Sequence, residues 1–432
     1  MAYNRKQRLN DNIKAIETAF ILDREQRTPT ARERLLLERY CGFGGLKCIL
    51  NPARELADAV HWAKSDLELF APTVELHRLI RENSKNESAY KQFMDSLKQS
   101  VLTAFYTPSA VTEALTDVLK EHQIIPEKVL EPSAGIGAFV DSVLDNNSKA
   151  DIMAFEKDLL TGKILRHLHP EQKVRIEGFE KIEKPFNDYF DLAISNIPFG
   201  DVAVFDPSYT AMKGMRALVT RRIHNYFFVK ALDTVRDGGL VAFITSQGVL
   251  NAKNNSAARF MMLYHADLVS AIRLPNNLFT ENANTEVGSD LIILQKNSQK
   301  ESLRGDDNLL DTVYNDENRI PTNNYFLEHP ERIIHTTAKL DTDPFGKPAM
   351  IYTHEDGVEG IAEDLRKMLH EDFKKNLNLN RYLGIEETKA EEVKEVEETE
   401  KIEKTEKIKP SIEEKQNDTV VSLQKQEKPT DD

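Results

Sequence analysis

The pattern in this sequence best suited to chemistry is an asparagine followed closely by a proline and an aromatic at the end of an apolar run. Phe190-Asp191-Leu192-Ala193-Ile194 leads directly into Ser195-Asn196-Ile197-Pro198-Phe199-Gly200. The side-chain oxygen of Asn196 and the backbone carbonyl of Ile197 form a pair of acceptors that can hold both hydrogens of a planar amine or amide. An exocyclic amine such as N6 of adenine is a poor nucleophile while its lone pair is delocalised into the ring, and holding both hydrogens favours a pyramidal nitrogen. Pro198 restricts Ile197 to an extended backbone, which aims its carbonyl. Phe199 offers a flat face on which a base drawn out of a helix can stack.

Two further segments have the composition of a nucleoside site. Val129-Leu130-Glu131-Pro132-Ser133-Ala134-Gly135-Ile136-Gly137 is an apolar run that ends in an acid and opens into a Gly-x-Gly turn. Glycines at the carboxyl edge of a strand let the backbone approach a ligand, and the next helix offers free N–H groups. A third glycine and a Lys-Ser/Thr pair are both missing, which argues against a dinucleotide or Walker site. About 20 residues later Phe155-Glu156-Lys157-Asp158 puts Glu156 at the end of a second apolar run, where a carboxylate can accept both hydroxyls of a ribose or simply cap the following helix.

These residues must be positioned by a parallel sheet. From Val101 to Lys296 short apolar runs alternate with helical segments, and strands are expected near Lys128–Glu131, Asp151–Phe155, Lys173–Glu177, Asp191–Ser195, Leu240–Thr245, Leu268–Arg273 and Asp290–Leu294. The expected fold is α/β, a seven-stranded, mostly parallel, doubly wound sheet. Residues 1–100 carry three- and four-residue apolar spacing and predict a helical region, with a tight loop at Gly42-Phe43-Gly44-Gly45. The expected organisation is a catalytic domain over 101–299, a small mixed region over 300–384 and a disordered charged tail over 385–432.

At this point the segments resemble the N6-adenine DNA methyltransferases. Phe105-Tyr106-Thr107-Pro108 looks like that family's additional cofactor motif, and the order of the motifs is similar to its gamma arrangement. With His224-Asn225-Tyr226-Phe227-Phe228 downstream, the Asn-x-Pro-Phe-Gly form most resembles methylases of plasmids, phages and conjugative elements, some of them joined to helicases. The resemblance implies a Rossmann-like class I methyltransferase fold and S-adenosylmethionine as cofactor. Phe105, Tyr106, Thr107 and Pro108 would line its adenosyl part and Glu131, Gly135 and Gly137 its methionine part. Glu156 would hold the ribose, and Glu180 would contact the adenine. Asn196, Ile197, Pro198 and Phe199 would be catalytic. Many members have two prolines after the asparagine; Ile197 here keeps the carbonyl and gives up some rigidity. Related motifs also serve methylases of glutamine side chains and of RNA, and a non-catalytic relative that binds DNA or a partner is the remaining alternative.

The net charge of −14 runs against a nucleic-acid partner at first sight. Sixteen acidic and nine basic residues fall between Ile385 and Asp432, so half of the excess lies in the tail. Between Ala211 and Lys230 stand Lys213, Arg216, Arg221, Arg222 and Lys230 with no acid among them, and the first four are expected to contact DNA phosphates. Residues 300–384 offer little for reading a DNA sequence, so either recognition is relaxed or the helical N-terminus or a separate subunit does the reading; a helicase or specificity subunit is a candidate partner. Two cysteines, no metal-ligand spacing and no long apolar segment point to a cytoplasmic protein without metal or membrane.

Overall fold

A computed structural model describes residues 4–103, 105–212, 214–280, 286–303, 305, 307–314, 319–343 and 346–385. The expected disorder of the tail therefore falls, apart from Ile385, outside the described residues. Two compact units result, Met1–Leu379 and Asn380–Asp432, and the first carries the sheet and the site.

Seven strands form the sheet: β1 (Lys128–Glu131), β2 (Asp151–Phe155), β3 (Lys173–Arg175), β4 (Phe190–Asn196), β5 (Val235–Ser246), β6 (Ala266–Leu274) and β7 (Ser289–Lys296). Their order is β3-β2-β1-β4-β5-β7-β6. All pairings are parallel except those of β7, which lies antiparallel between β5 and β6. This is the Rossmann-like class I methyltransferase topology, and the expected fold class holds. Continuous apolar runs such as Ile152–Phe155, Leu192–Ile194 and Leu291–Leu294 are almost wholly buried, as sheets covered on both faces require. The third strand stops two residues short of Glu177 because it is a half-buried edge strand whose chain then turns toward Gly178.

Helices cover both faces. The chain begins with α1 (Arg5–Glu25), α2 (Ala31–Leu37), α3 (Phe70–Glu82) and α4 (Glu87–Thr103), followed by α5 (Ser109–Glu121), α6 (Ala138–Asn146) and α7 (Leu159–Leu168). Beyond β4 come α8 (Ile223–Thr234), α9 (Ser256–His265) and α10 (Gly357–Asn376). Local signals explain several starts. Asn4 caps α1 by accepting from Gln7 N, and Thr30 with Glu33 forms a reciprocal capping box on α2. The N-terminal helices do not stand apart: Phe93, Leu97 and Val101 of α4 share one apolar cluster with Leu160, Ile164 and Leu168 of α7. On the other side α10 lies against α5 and β6.

The glycine-rich loop near the start of the chain is held on both sides. Gly42 and Gly45 adopt φ of 68° and 76°, which favours glycine, while Phe43 between them is wholly buried. Asn12 of α1 clamps the turn: its Nδ2 donates to Gly42 O at 2.6 Å and its Oδ1 accepts from Cys41 N at 2.9 Å. Phe43 N donates to Ser100 Oγ of α4 at 3.4 Å.

Candidate active site

The strand order reverses between β1 and β4, and in open α/β sheets that crevice, outside the carboxyl ends of the strands, is where ligands bind. Glu131 is the last residue of β1 and Asn196 the last of β4, so the two motifs meet there. A cavity of about 570 Å³ opens at this edge. Phe105, Tyr106 and Thr107 line it together with Glu131, Gly135, Glu156, Glu180 and the run Asn196–Phe199. Two expected contacts are not brought to the lining. Pro108 occupies the N-cap position of α5. Gly137, at φ 94°, caps α6 where a Cβ would lie 2.6 Å from His169 Nε2, so its glycine serves helix packing.

Asn196 Nδ2 donates to the Phe105 carbonyl at 2.8 Å. A carbonyl can only accept, so this bond fixes which way the amide points and leaves Asn196 Oδ1 as an acceptor. Ile197 N donates to Ile244 O at 3.0 Å, and Ser195 Oγ to Ser133 O at 3.1 Å, which ties the asparagine loop to β5 and to the glycine loop. Gly135 has φ 56°, and a Cβ there would come within 2.8 Å of the Tyr106 ring. Tyr106 in turn reaches Thr161 Oγ1, at 3.4 Å, which also meets Tyr40 Oη at 3.0 Å.

Carboxyls give the cavity its electrostatic character. Glu131 is only 2% exposed. Burial, reinforced by the charges of Asp141 and Glu156, raises it well above the ordinary carboxylate range, and its Oε2 has no hydrogen-bond partner. Glu156 accepts from Gly135 N at 2.8 Å and from Asp158 N at 2.7 Å. Burial, and then the neighbouring Asp158 carboxylate, push it up to about 8 against the pull of those N–H donors. Asp158 is also raised by burial. Glu180 sits beside Gly178, whose missing Cβ makes room for its carboxylate, with Lys157 Nζ at 3.5 Å.

Sequence reasoning missed several parts of this site. Phe279, wholly buried, stands edge-on to Phe199 at 6.2 Å and tilted against Phe105 at 6.4 Å, joining the two motifs through one ring. Asp158 and, from α4, Ser96 and Ser100 also line the cavity. Of these only Asp158 carried a signal, as a second acid two residues after Glu156.

The basic stretch is largely neutralised by acids that lie elsewhere in the chain. Arg216 forms a two-pronged pair with Asp233 at 2.6 and 2.9 Å. Arg222 meets Asp201 at 3.3 Å, and Lys230 is buried with Asp206 at 3.3 Å. Arg221 is exposed, while Lys213 lies outside the described residues. The expectation of an open basic face thus reduces to Arg221 among the described cations.

The chain matches the N-6 DNA Methylase family over residues 87–391. It belongs to that family. It is 29% identical over 203 residues to Defense against restriction protein B of Escherichia phage P1, a match that covers 45% of this chain and 8% of that protein. It is 24% identical over 173 residues to Type II methyltransferase M.XamI of Xanthomonas campestris pv. amaranthicola, covering 37% of this chain and 33% of the relative. Among solved structures, the type I restriction-modification system methyltransferase subunit from Streptococcus thermophilus aligns with a TM-score of 0.40 at 16% identity, over 74% of this chain and 69% of that one. The chain therefore spans a third or less of the length of the two curated relatives. Among the described residues no helix is long and apolar enough to cross a membrane.

Proposed function

We propose that this chain binds S-adenosylmethionine and transfers its methyl group to N6 of adenine in DNA, with residues 101–299 as the catalytic domain. The observation that carries the reading is the bond from Asn196 Nδ2 to Phe105 O, which leaves Asn196 Oδ1 as an acceptor at the end of β4. The cavity suits the cofactor in size, within the ~300–1,000 Å³ of small-molecule sites. Its unpartnered polar atoms suit the cofactor in chemistry. Glu131 Oε2 is a buried acceptor fit for an ammonium, and Thr107 Oγ1 is a buried hydroxyl fit for a carboxylate, which moves Thr107 from the adenosyl part of the cofactor to its methionine part. Glu156, already holding two main-chain N–H groups, lines the same cavity and is placed for ribose hydroxyls.

When bound, the cofactor supplies an electrophilic methyl group. The chain's own contribution is alignment and electrostatics. Asn196 Oδ1 and the Ile197 carbonyl accept the two amino hydrogens of the base, and Phe199, backed by Phe279, stacks on its ring. Pro198 keeps Ile197 extended. The base reaches them by leaving the duplex. Arg221 contacts phosphate, and a helicase or specificity subunit supplies the sequence reading that residues 300–384 do not.

Expression of the chain in a host lacking adenine methylases, followed by nucleoside analysis of its DNA, tests the proposal. N6-methyladenine is the expected product. Unmodified DNA alongside methylated RNA or protein glutamine would overturn the choice of acceptor.

A further inference from the structure

The acidic residue next to the ribose carboxylate has an oxygen that the fold does not use. Asp158 Oδ1 accepts three hydrogen bonds, from Leu160 N, Thr161 N and Ser96 Oγ, each at 2.9 Å. Asp158 Oδ2 is buried and has no partner, although the residue lines the cavity. Such an orphaned acceptor costs about 1–3 kcal/mol unless a ligand satisfies it. On Glu156 each carboxylate oxygen already takes one main-chain N–H. Within this pair of acids, the oxygen with both lone pairs open is Asp158 Oδ2.

Its position is set from outside the sheet. Ser96, on α4 and only 7% exposed, donates to Asp158 and accepts from Leu159 N at 2.7 Å, so it locks the start of α7 from both directions. The same helix contributes Ser100 to the cavity, and Ser100 Oγ accepts from the Phe43 N–H of the glycine turn. The N-terminal helices thus form part of the cavity wall.

We infer that Asp158, held by Ser96, is a second carboxylate ligand of the cofactor's ribose, acting beside Glu156. The inference rests on the cofactor reading above. Glu156 engages the ribose hydroxyls through its remaining lone pairs, and Asp158 Oδ2 takes one hydroxyl fully. The N-terminal helices are then a component of the cofactor site.

The test compares S-adenosylhomocysteine with its analogue lacking both ribose hydroxyls, by calorimetry, on the full chain. Asp158→Asn keeps a good helix cap, because Asn and Asp cap about equally well, and exchanges the free acceptor for a donor. It is expected to bind S-adenosylhomocysteine about 10- to 100-fold more weakly than wild type, the range of one hydrogen bond to a charged group. The analogue should bind wild type and Asp158→Asn alike. Ser96→Ala, which leaves the carboxylate in place, is expected to show a smaller loss with the same selectivity. Equal weakening of both ligands, or no weakening of either, would overturn the assignment. A wild-type chain that fails to bind S-adenosylhomocysteine at all would defeat the underlying cofactor reading instead.

Discussion

The side-chain amide of Asn196 donates to the backbone carbonyl of Phe105 across 91 residues of sequence, at 2.8 Å. One bond therefore couples the segment before the glycine turn to the segment after β4, and it orients the amide. Substituting Asn196 by Asp replaces the donor with a second acceptor facing the Phe105 carbonyl. Turnover should fall about 100-fold or more, the size of losing one preorganised hydrogen-bonding group in an active site. Cofactor affinity should change far less. Steady-state kinetics with parallel cofactor titration checks the split, and equal loss in both would show that the bond serves binding instead.

Gly135 makes a second coupling. Its φ of 56° and the Tyr106 ring 2.8 Å from where a Cβ would stand leave no room for a side chain. Gly135→Ala should cost about 1–3 kcal/mol of stability through backbone strain and crowding. Adding Tyr106→Ala should return the crowding part and leave the strain. Denaturant melts of the single and double variants measure both contributions.

Glu156 predicts a pH dependence of the cofactor-free protein. Its carboxyl titrates at about 8 in the fold against an ordinary value of 4.5, so the folded state holds this proton more tightly than the unfolded state does. Its stabilising contribution is full below about 4.5 and is lost as the pH rises through about 8. Glu156→Gln has no such proton, whatever constant offset its altered hydrogen bonds introduce. The melting temperature of wild type relative to Glu156→Gln should fall steadily between about pH 5 and pH 8, the window set by those two values, and level off above it. A flat difference would contradict the assignment.

The basic stretch separates by partner. Arg216→Ala should destabilise the fold by about 1–2 kcal/mol, because it leaves Asp233 without its two-pronged donor. Arg221→Ala should leave stability unchanged and weaken DNA binding, lowering the slope of log affinity against log salt by about one. Salt titrations of DNA binding alongside thermal melts distinguish the two.

What the sequence displayed depended on whether a feature was local. The ends of β1 and β2 were legible to the residue because continuous apolar runs stop at Glu131 and Phe155. The Asn196 motif was legible because its chemistry is carried by consecutive residues. Phe279 was not, because what places it between Phe105 and Phe199 is the sheet, where β6 and β7 exchange chain order. The role of Ser96 was likewise hidden, since nothing in an amphipathic helix records which loop its serine will meet. Arg216 and Lys230 looked available as cations because Asp233 and Asp206, their partners, stand outside the stretch that contains them.

The central claim is tested most directly by transfer of labelled methyl from S-adenosylmethionine to unmethylated duplex DNA, using wild type and Asn196→Ala side by side, with cofactor binding measured on both. Label in N6-methyladenine is expected for wild type and none for the variant, while both bind cofactor. Label in DNA that persists in Asn196→Ala, or cofactor binding by wild type with no label in DNA, would contradict it.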